Sequence, residues 1–288
     1  MARSAVSVLV TTQNEARNLA DCLDSVRWAD ELVVVDSGST DGTQDIATRH
    51  GARVLLHPYE SAARQKNWAL PQLRHPWVLI LDADERVSPE LAAQIQAVLA
   101  GDGPADGYFL HRRSFFLGRP IRRCGWDRDH IQRFFRTGEG RYDDRLVHET
   151  LQLQGRTAHL GGPLWHYTYH SFGDYLERLD RYTARGAADA RAAGRRPSLA
   201  ALVFRAPARF VRMYFMQRGF LDGIPGLMVC TLAAFSVWLK YARLFEAEGG
   251  SLPALGRDAD AATPSRDAAA AATAASRRPA MTPEEVRR

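Results

Sequence analysis

The chain has no G-x-G-x-x-G and no G-x-x-x-x-G-K-[ST] run, and residues 11–18, which follow its first apolar segment, contain no glycine. These absences exclude the dinucleotide fingerprint and the P-loop, so phosphate charge would have to be met by a metal and by side chains. Cysteine is scarce: Cys22, Cys124 and Cys230 lie far apart without metal-ligand spacing. A disulfide scaffold and a cysteine zinc site are thereby excluded, and the three read as buried apolar residues of a reducing compartment. The opening apolar run is shorter than a signal-peptide core, so a cytoplasmic protein is expected. Residues 223–239 carry no charge, and from Leu252 the chain is alanine-rich without periodicity.

What is present suits a folded protein. Of 288 residues, 45% are hydrophobic and 25% charged, an ordinary balance for a globular core. The net charge of +5 and pI near 9.3 favour an anionic partner: phosphorylated substrate, lipid surface or nucleic acid. Apolar runs at 5–11, 31–36, 52–56 and from Trp77 read as strands. Between them, helical spacing is found at Leu19, Cys22, Leu23 and Val26, around Ile46 and Ala47, and over 62–70. This alternation predicts a parallel sheet with helices on both faces.

The chain is organised around residues 77–85, Trp-Val-Leu-Ile-Leu-Asp-Ala-Asp-Glu. Five apolar residues form a buried strand, and carboxylates begin where it stops. In an open α/β sheet the C-terminal strand ends border the ligand crevice. Asp82 and Asp84, one residue apart, would point to the same side in extended backbone and share a hard cation. The competing reading is an acidic turn that caps a helix starting near Ser88. Asp36 ends a second strand, so three carboxylates can face one crevice, with room for a nucleoside diphosphate.

Four pieces in order, 8–15 (Val-Leu-Val-Thr-Thr-Gln-Asn-Glu), 33–42 (Val-Val-Val-Asp-Ser-Gly-Ser-Thr-Asp-Gly), 65–67 (Gln-Lys-Asn) and 81–85, resemble glycosyltransferase family 2. That family has the GT-A fold, a Rossmann-like, mostly parallel sheet flanked by helices, and contains inverting sugar-nucleotide transferases. Val147-His148-Glu149, His166-Tyr167 and 219–223 resemble its lipopolysaccharide-core glucosyltransferase branch. The resemblance implies that Thr12 and Asp36 contact the nucleoside, Lys66 the base or diphosphate and Asp82 the ribose, and that Asp84 binds Mg²⁺ or Mn²⁺. Gln13 and Lys66 stand where relatives often have Tyr and Arg. Inversion needs a base for the acceptor hydroxyl, and Glu149 is the candidate. His148 is a possible phosphate or metal ligand, and His166, read as preceding a loop, could reach the leaving diphosphate.

Short strand-like runs at 107–113, 130–136 and 152–160 predict antiparallel additions to the sheet. Arginines 112, 113, 119, 122, 123, 128 and 133, interleaved with Phe115, Phe116 and Trp126, form no recognisable nucleic-acid module and suit a phosphorylated glycolipid. Helices are expected from Ser171 and again beyond Pro197, where Arg205, Arg209 and Arg212 run beside Phe204, Val211 and Phe215. A basic amphipathic helix followed by an uncharged run predicts attachment to an anionic membrane surface. The uncharged run is short for a span and broken by Gly223, Pro225 and Gly226, so peripheral attachment to the inner face of the cytoplasmic membrane is expected. The resulting division is a GT-A catalytic domain over 1–170, a membrane-associating helical region over 171–250 and a disordered tail over 251–288. The expected activity is transfer of a hexose, glucose from a UDP-sugar, to a lipopolysaccharide-core or other lipid-linked acceptor. A sugar-phosphate nucleotidyltransferase and a non-catalytic sugar-nucleotide-binding protein are the alternatives.

Overall fold

The computed structural model describes residues 3–101, 103–143, 150–196 and 199–247. The first hundred residues alternate as read: β1 (Val6–Thr12), α1 (Leu19–Asp24), β2 (Glu31–Asp36), α2 (Thr43–Arg49), β3 (Arg53–Leu56), α3 (Ala62–Ala69), β4 (Trp77–Asp82), β5 (Glu85–Val87) and α4 (Pro89–Gly101). Then follow β6 (Gly107–Phe116), β7 (Arg119–Pro120), β8 (His130–Arg136), β9 (Gly140–Tyr142), β10 (Leu151–Leu153) and β11 (Thr157–Tyr169). The C-terminal helices are α5 (Phe172–Ala192), α6 (Leu199–Val211) and α7 (Gly223–Ala247).

Among the described residues nine strands form one sheet in the order β3-β2-β1-β4-β8-β6-β11-β5, with β7 beside β6. β3, β2, β1 and β4 are mutually parallel. Alternation along these strands sends side chains to opposite faces. Val8, Val10, Leu79 and Leu81 pack under α1, α2 and α4, while Leu9, Val33, Val78 and Ile80 pack under α3. Each such buried side chain contributes about 1.5–3 kcal/mol, so the sheet edge that follows is a rigid platform.

Beyond α4 the expectation holds for β8, antiparallel to both β4 and β6, and is corrected for the last run. Residues 152–160 are not one strand: Gly155, at φ 132°, separates β10 from β11. β11 continues to Tyr169 and pairs parallel to β6 and antiparallel to β5. His166 therefore lies within a strand, not before a loop.

α5 opens with a reciprocal cap, in which Ser171 Oγ accepts from the Asp174 amide and the Asp174 carboxylate from the Ser171 amide. Tyr175 and Leu179 join Phe116, Ile121, Cys124, Met213 and Val229 in a separate core, and one compact unit extends to Phe245. Gly223, Pro225 and Gly226 do not interrupt α7, a second correction. They lie in its first turn, where a proline costs no intrahelical hydrogen bond, and the helix runs on past Lys240 and Arg243. The expected tail over 251–288 falls outside the described residues.

Candidate active site

Three adjacent strand ends build the rim. Thr12 is in register with Asp36, and Thr11 with Asp82. The Thr12 hydroxyl is buried without a hydrogen-bond partner among the described residues, a polar group that calls for a partner beyond them. Asp36 is fully buried and organises the turn after β2: Oδ1 accepts from the Gly38 and Ser39 amides at 3.1 and 2.9 Å and from Gln44 at 2.7 Å, and Oδ2 from the Ser39 hydroxyl. Gly38, at φ 83°, makes that turn possible. The loop after β1 is stitched to it. The Asn14 amide donates to Ser39 Oγ at 2.7 Å, the Thr40 amide to Asn14 Oδ1 at 2.8 Å, and the Ala16 amide to Asp41 Oδ2 at 3.0 Å. Gln65 Nε2, from α3, donates to Ser37 Oγ at 2.6 Å.

Asp82 and Asp84 are not two residues of one extended strand. β4 ends at Asp82, and Ala83 and Asp84 form a tight turn into β5, so the two carboxylates meet different cations. Asp82 lies 2.7 Å from Arg133 Nη2 and 3.6 Å from Lys66 Nζ. Burial would raise its pKa, but Arg133 and Lys66 hold it well below the usual carboxylate range. It still keeps 34% of its side chain open, whereas Lys66 is buried and stacks its ammonium over Tyr142. Asn67, the next residue, exchanges two hydrogen bonds with the Tyr142 backbone at 2.8 and 2.9 Å.

Asp84 Oδ2 lies 3.5 Å from His166 Nε2 and 3.4 Å from Arg178 Nη2. Burial would raise this pKa too, and His166 and Arg178 keep it low. His166 feels the converse: burial disfavours its cation, yet Asp84 beside it raises the pKa above the ordinary value. Ser114 and Thr168 hydroxyls hold the ring at 3.1 and 2.9 Å from Nδ1. The floor is Glu85, fully buried, whose Oε2 accepts from the Asp82 amide at 2.9 Å and whose Oε1 faces Arg112 at 3.5 Å. Burial pushes this carboxyl up. The helix-capping reading of the acidic turn is replaced, since the Ser88 hydroxyl caps α4 by accepting from the Leu91 amide at 3.2 Å.

The structure thus gathers Thr12, Asp36, Lys66, Asp82, Asp84 and His166 around the C-terminal strand ends. Glu149 and His148 lie outside the described residues. Their described neighbours do bear on the site: the Asp143 amide donates to Thr150 O, and the Thr150 amide to Asp143 Oδ1, at 3.1 and 3.0 Å, next to the Tyr142 that α3 holds. Sequence reasoning missed Arg133, Arg178 and Glu85. It read Arg112 and Arg133 as acceptor-binding, whereas both turn inward to carboxylates. Arg178 approaches Asp84 from 94 residues away, so no local pattern signals it. For a divalent cation, Asp84 offers a carboxylate oxygen, the donor type that Mn²⁺ and Mg²⁺ take with phosphate and water to complete the shell, and His166 Nε2 faces that carboxylate. Among the described residues no third histidine, cysteine or carboxylate joins them.

The chain is 28% identical over 256 residues to the lipopolysaccharide core biosynthesis glycosyltransferase LpsC of Rhizobium meliloti, covering 82% of this chain and 93% of that one. It is 26% identical over 254 residues to an uncharacterized glycosyltransferase of Rickettsia felis, covering 84% and 89%. Among solved structures, glucosyl-3-phosphoglycerate synthase from Mycobacterium tuberculosis in complex with Mn²⁺, UDP and glucosyl-3-phosphoglycerate matches 40% of this chain and 45% of its own at 25% identity, with a TM-score of 0.33. The model of the family "Glycosyl transferase family 2" matches residues 7–159. Covering more than half of the chain, and including the strands that carry Thr12, Asp36 and Asp82 and the turn that carries Asp84, this match shows that the protein belongs to glycosyltransferase family 2 and has the GT-A fold.

Proposed function

We propose that the chain transfers a hexose, with inversion, from a nucleoside diphosphate sugar to a lipid-linked or lipopolysaccharide-core glycan, with UDP-glucose as the donor. The observation that carries this reading is the cluster of polar and charged side chains at the ends of β1, β2 and β4. There a buried, unpartnered Thr12 hydroxyl, a partly open Asp82 and the Asp84–His166 pair lie along one rim backed by Lys66, Arg133 and Arg178. Cations behind carboxylates suit a ligand that carries both a polar nucleoside and a diphosphate. The acceptor class follows from the relative named for lipopolysaccharide core biosynthesis.

In this reading Thr12 and Asp36 border the nucleoside, Asp82 and Lys66 the ribose and diphosphate, Asp84 would hold Mg²⁺ or Mn²⁺, and His166 faces the leaving diphosphate. A divalent cation there would offset the charge developing on the leaving diphosphate. Glu149 takes the proton of the attacking hydroxyl as the bond to the diphosphate breaks, and His148 flanks the departing phosphate. The outward arginines and apolar side chains of α6 and α7 rest on the anionic cytoplasmic leaflet, where a lipid-linked acceptor is presented.

The test is radiolabelled sugar transfer from a panel of nucleotide sugars to a lipopolysaccharide-core extract by the purified full chain, with Mn²⁺ and with EDTA. Metal-dependent transfer of glucose from UDP-glucose is expected. Metal-independent transfer would remove the assignment of Asp84 to a metal, and transfer from another nucleotide sugar would replace the donor.

A further inference from the structure

We propose that a cavity between α5 and α7 binds an anionic sugar unit of the acceptor. The proposal rests on the glycan-acceptor reading above and assigns that acceptor a place and a charge. The cavity measures about 260 Å³ and opens where α5 and α7 meet the end of β11. That is less than a drug-sized ligand needs, but it accommodates one pyranose ring.

Its walls have the chemistry of a sugar site. Tyr169, Tyr175 and Tyr182 line it, aromatic side chains of the kind that receive the C–H side of a pyranose and carry phenol groups at their edges. The hydroxyls of Thr183 and Ser236 already donate to helix carbonyls, Leu179 O at 2.7 Å and Ala233 O at 2.8 Å. Their oxygens keep lone pairs that can accept from ligand hydroxyls. Lys240 completes the lining, with its ammonium over the Tyr241 ring and no ion-pair partner among the described residues. A lysine in the wall of a tyrosine-lined cavity calls for a carboxylate or phosphate on the sugar.

One wall of the cavity is linked to the candidate active site through Arg178. Tyr169 lies three residues beyond His166 on β11, and its ring is covered by the Arg178 guanidinium at 5.7 Å. That guanidinium reaches Asp84 at 3.4 Å. Arg178 and Tyr182 are one turn apart on α5. The other face of α7 exposes Ile224, Leu227, Met228, Phe235 and Trp238. A glycan whose lipid lies against that outer face would thus pass the cavity on its way to Asp84.

Saturation-transfer NMR on the full chain, without donor or metal, tests this with three probes: methyl β-D-glucoside, methyl β-D-glucuronide and glucose 6-phosphate. At least one anionic probe is expected to bind threefold or more tightly than the neutral glucoside, and the pair separates carboxylate from phosphate recognition. Lys240→Gln should reduce the anionic probes to the level of the glucoside, and Tyr182→Ala should weaken all three at least threefold. Tyr182 is 55% exposed, so its truncation leaves the fold intact, which thermal melting checks. Equal binding of charged and neutral probes by the wild type, or binding untouched by both variants, would overturn the proposal. UDP-glucose binding with Mg²⁺ is measured in parallel and should be unchanged in both variants. Its absence from the wild type would count against the donor reading alone.

Discussion

At the scale of single residues, Asp84 and Glu149 are assigned tasks that separate kinetically. Asp84→Asn keeps the shape of the carboxylate and leaves Arg178 and His166 in place, but removes the charge that a divalent cation requires. Metal-dependent donor binding should be lost and transfer with it, while urea unfolding stays cooperative. Glu149→Gln cannot accept a proton, so donor affinity should stay within a few-fold of wild type while transfer falls by about 10²-fold or more. Titrating UDP-glucose by calorimetry and counting turnover on both variants checks the split. Wild-type turnover in Glu149→Gln would move the base elsewhere, with Asp143 next in line. Asp36 shows why residue type alone does not reveal a role. Its carboxylate is spent on the Gly38, Ser39 and Gln44 donors, so in the proposed reading it would act on a nucleoside only through the turn it shapes.

At the scale of elements, β1, β2 and β3 are tied at the edge opposite the site by Glu31. Its carboxylate accepts from Ser7 Oγ of β1 at 2.5 Å, from Arg53 Nη2 of β3 at 2.9 Å and from the Arg74 amide at 3.1 Å. Burial would raise the Glu31 pKa, and the Ser7 and Arg53 hydrogen bonds bring it below the ordinary 4.5. A carboxylate depressed in the folded state stabilises above its unfolded pKa, and that contribution is lost as pH falls through the folded value. Glu31→Gln should therefore cost about 1–2 kcal/mol at pH 7, and the gap to wild type should close below pH 4.5, as read by urea titrations across that window. The same strands were the legible part of the fold, because continuous apolar runs ending in carboxylates leave few alternatives. β5 was not legible: three residues, Glu85 to Val87, do not make a pattern, and the buried Glu85 looks polar in sequence. Parallel pairing of β11 with β6 escaped for a different reason, since direction is set by the chain's path and not by the composition of either strand. In the site, motif residues could be named in advance, whereas Arg133 and Arg178 had to be brought in by tertiary packing.

At the scale of the whole molecule, the C-terminal helices leave a surface that water alone does not explain. α6 buries none of its residues, and Phe204, Phe215, Met216 and Ile224 are 57–76% exposed. Residues Gly219–Ala247 are apolar and long enough to cross a bilayer, with only 17% of the apolar window buried. That proportion argues against a helix of the soluble core. A span is disfavoured for another reason: one side of α7 is already engaged by protein, through Val229, Cys230 and Leu232 in the core shared with α5 and through Arg243 paired with Asp180. Lipid can therefore meet only the outer side, as in a helix lying in the interface, and the exposed Arg209 and Arg212 would attract anionic headgroups at about 1 kcal/mol each. The full chain should pellet with vesicles containing anionic lipid, bind neutral vesicles weakly, and be released at least in part by high salt or alkaline carbonate. Charge reversal at Arg205, Arg209 and Arg212 should shift it to the supernatant without loss of donor binding. Because Arg205 also hydrogen-bonds the Tyr241 hydroxyl, a double variant at Arg209 and Arg212 separates docking from packing. Equal partitioning of wild type and both variants would mean that charge does not hold the protein to the membrane, and complete resistance to carbonate would require α7 to cross it.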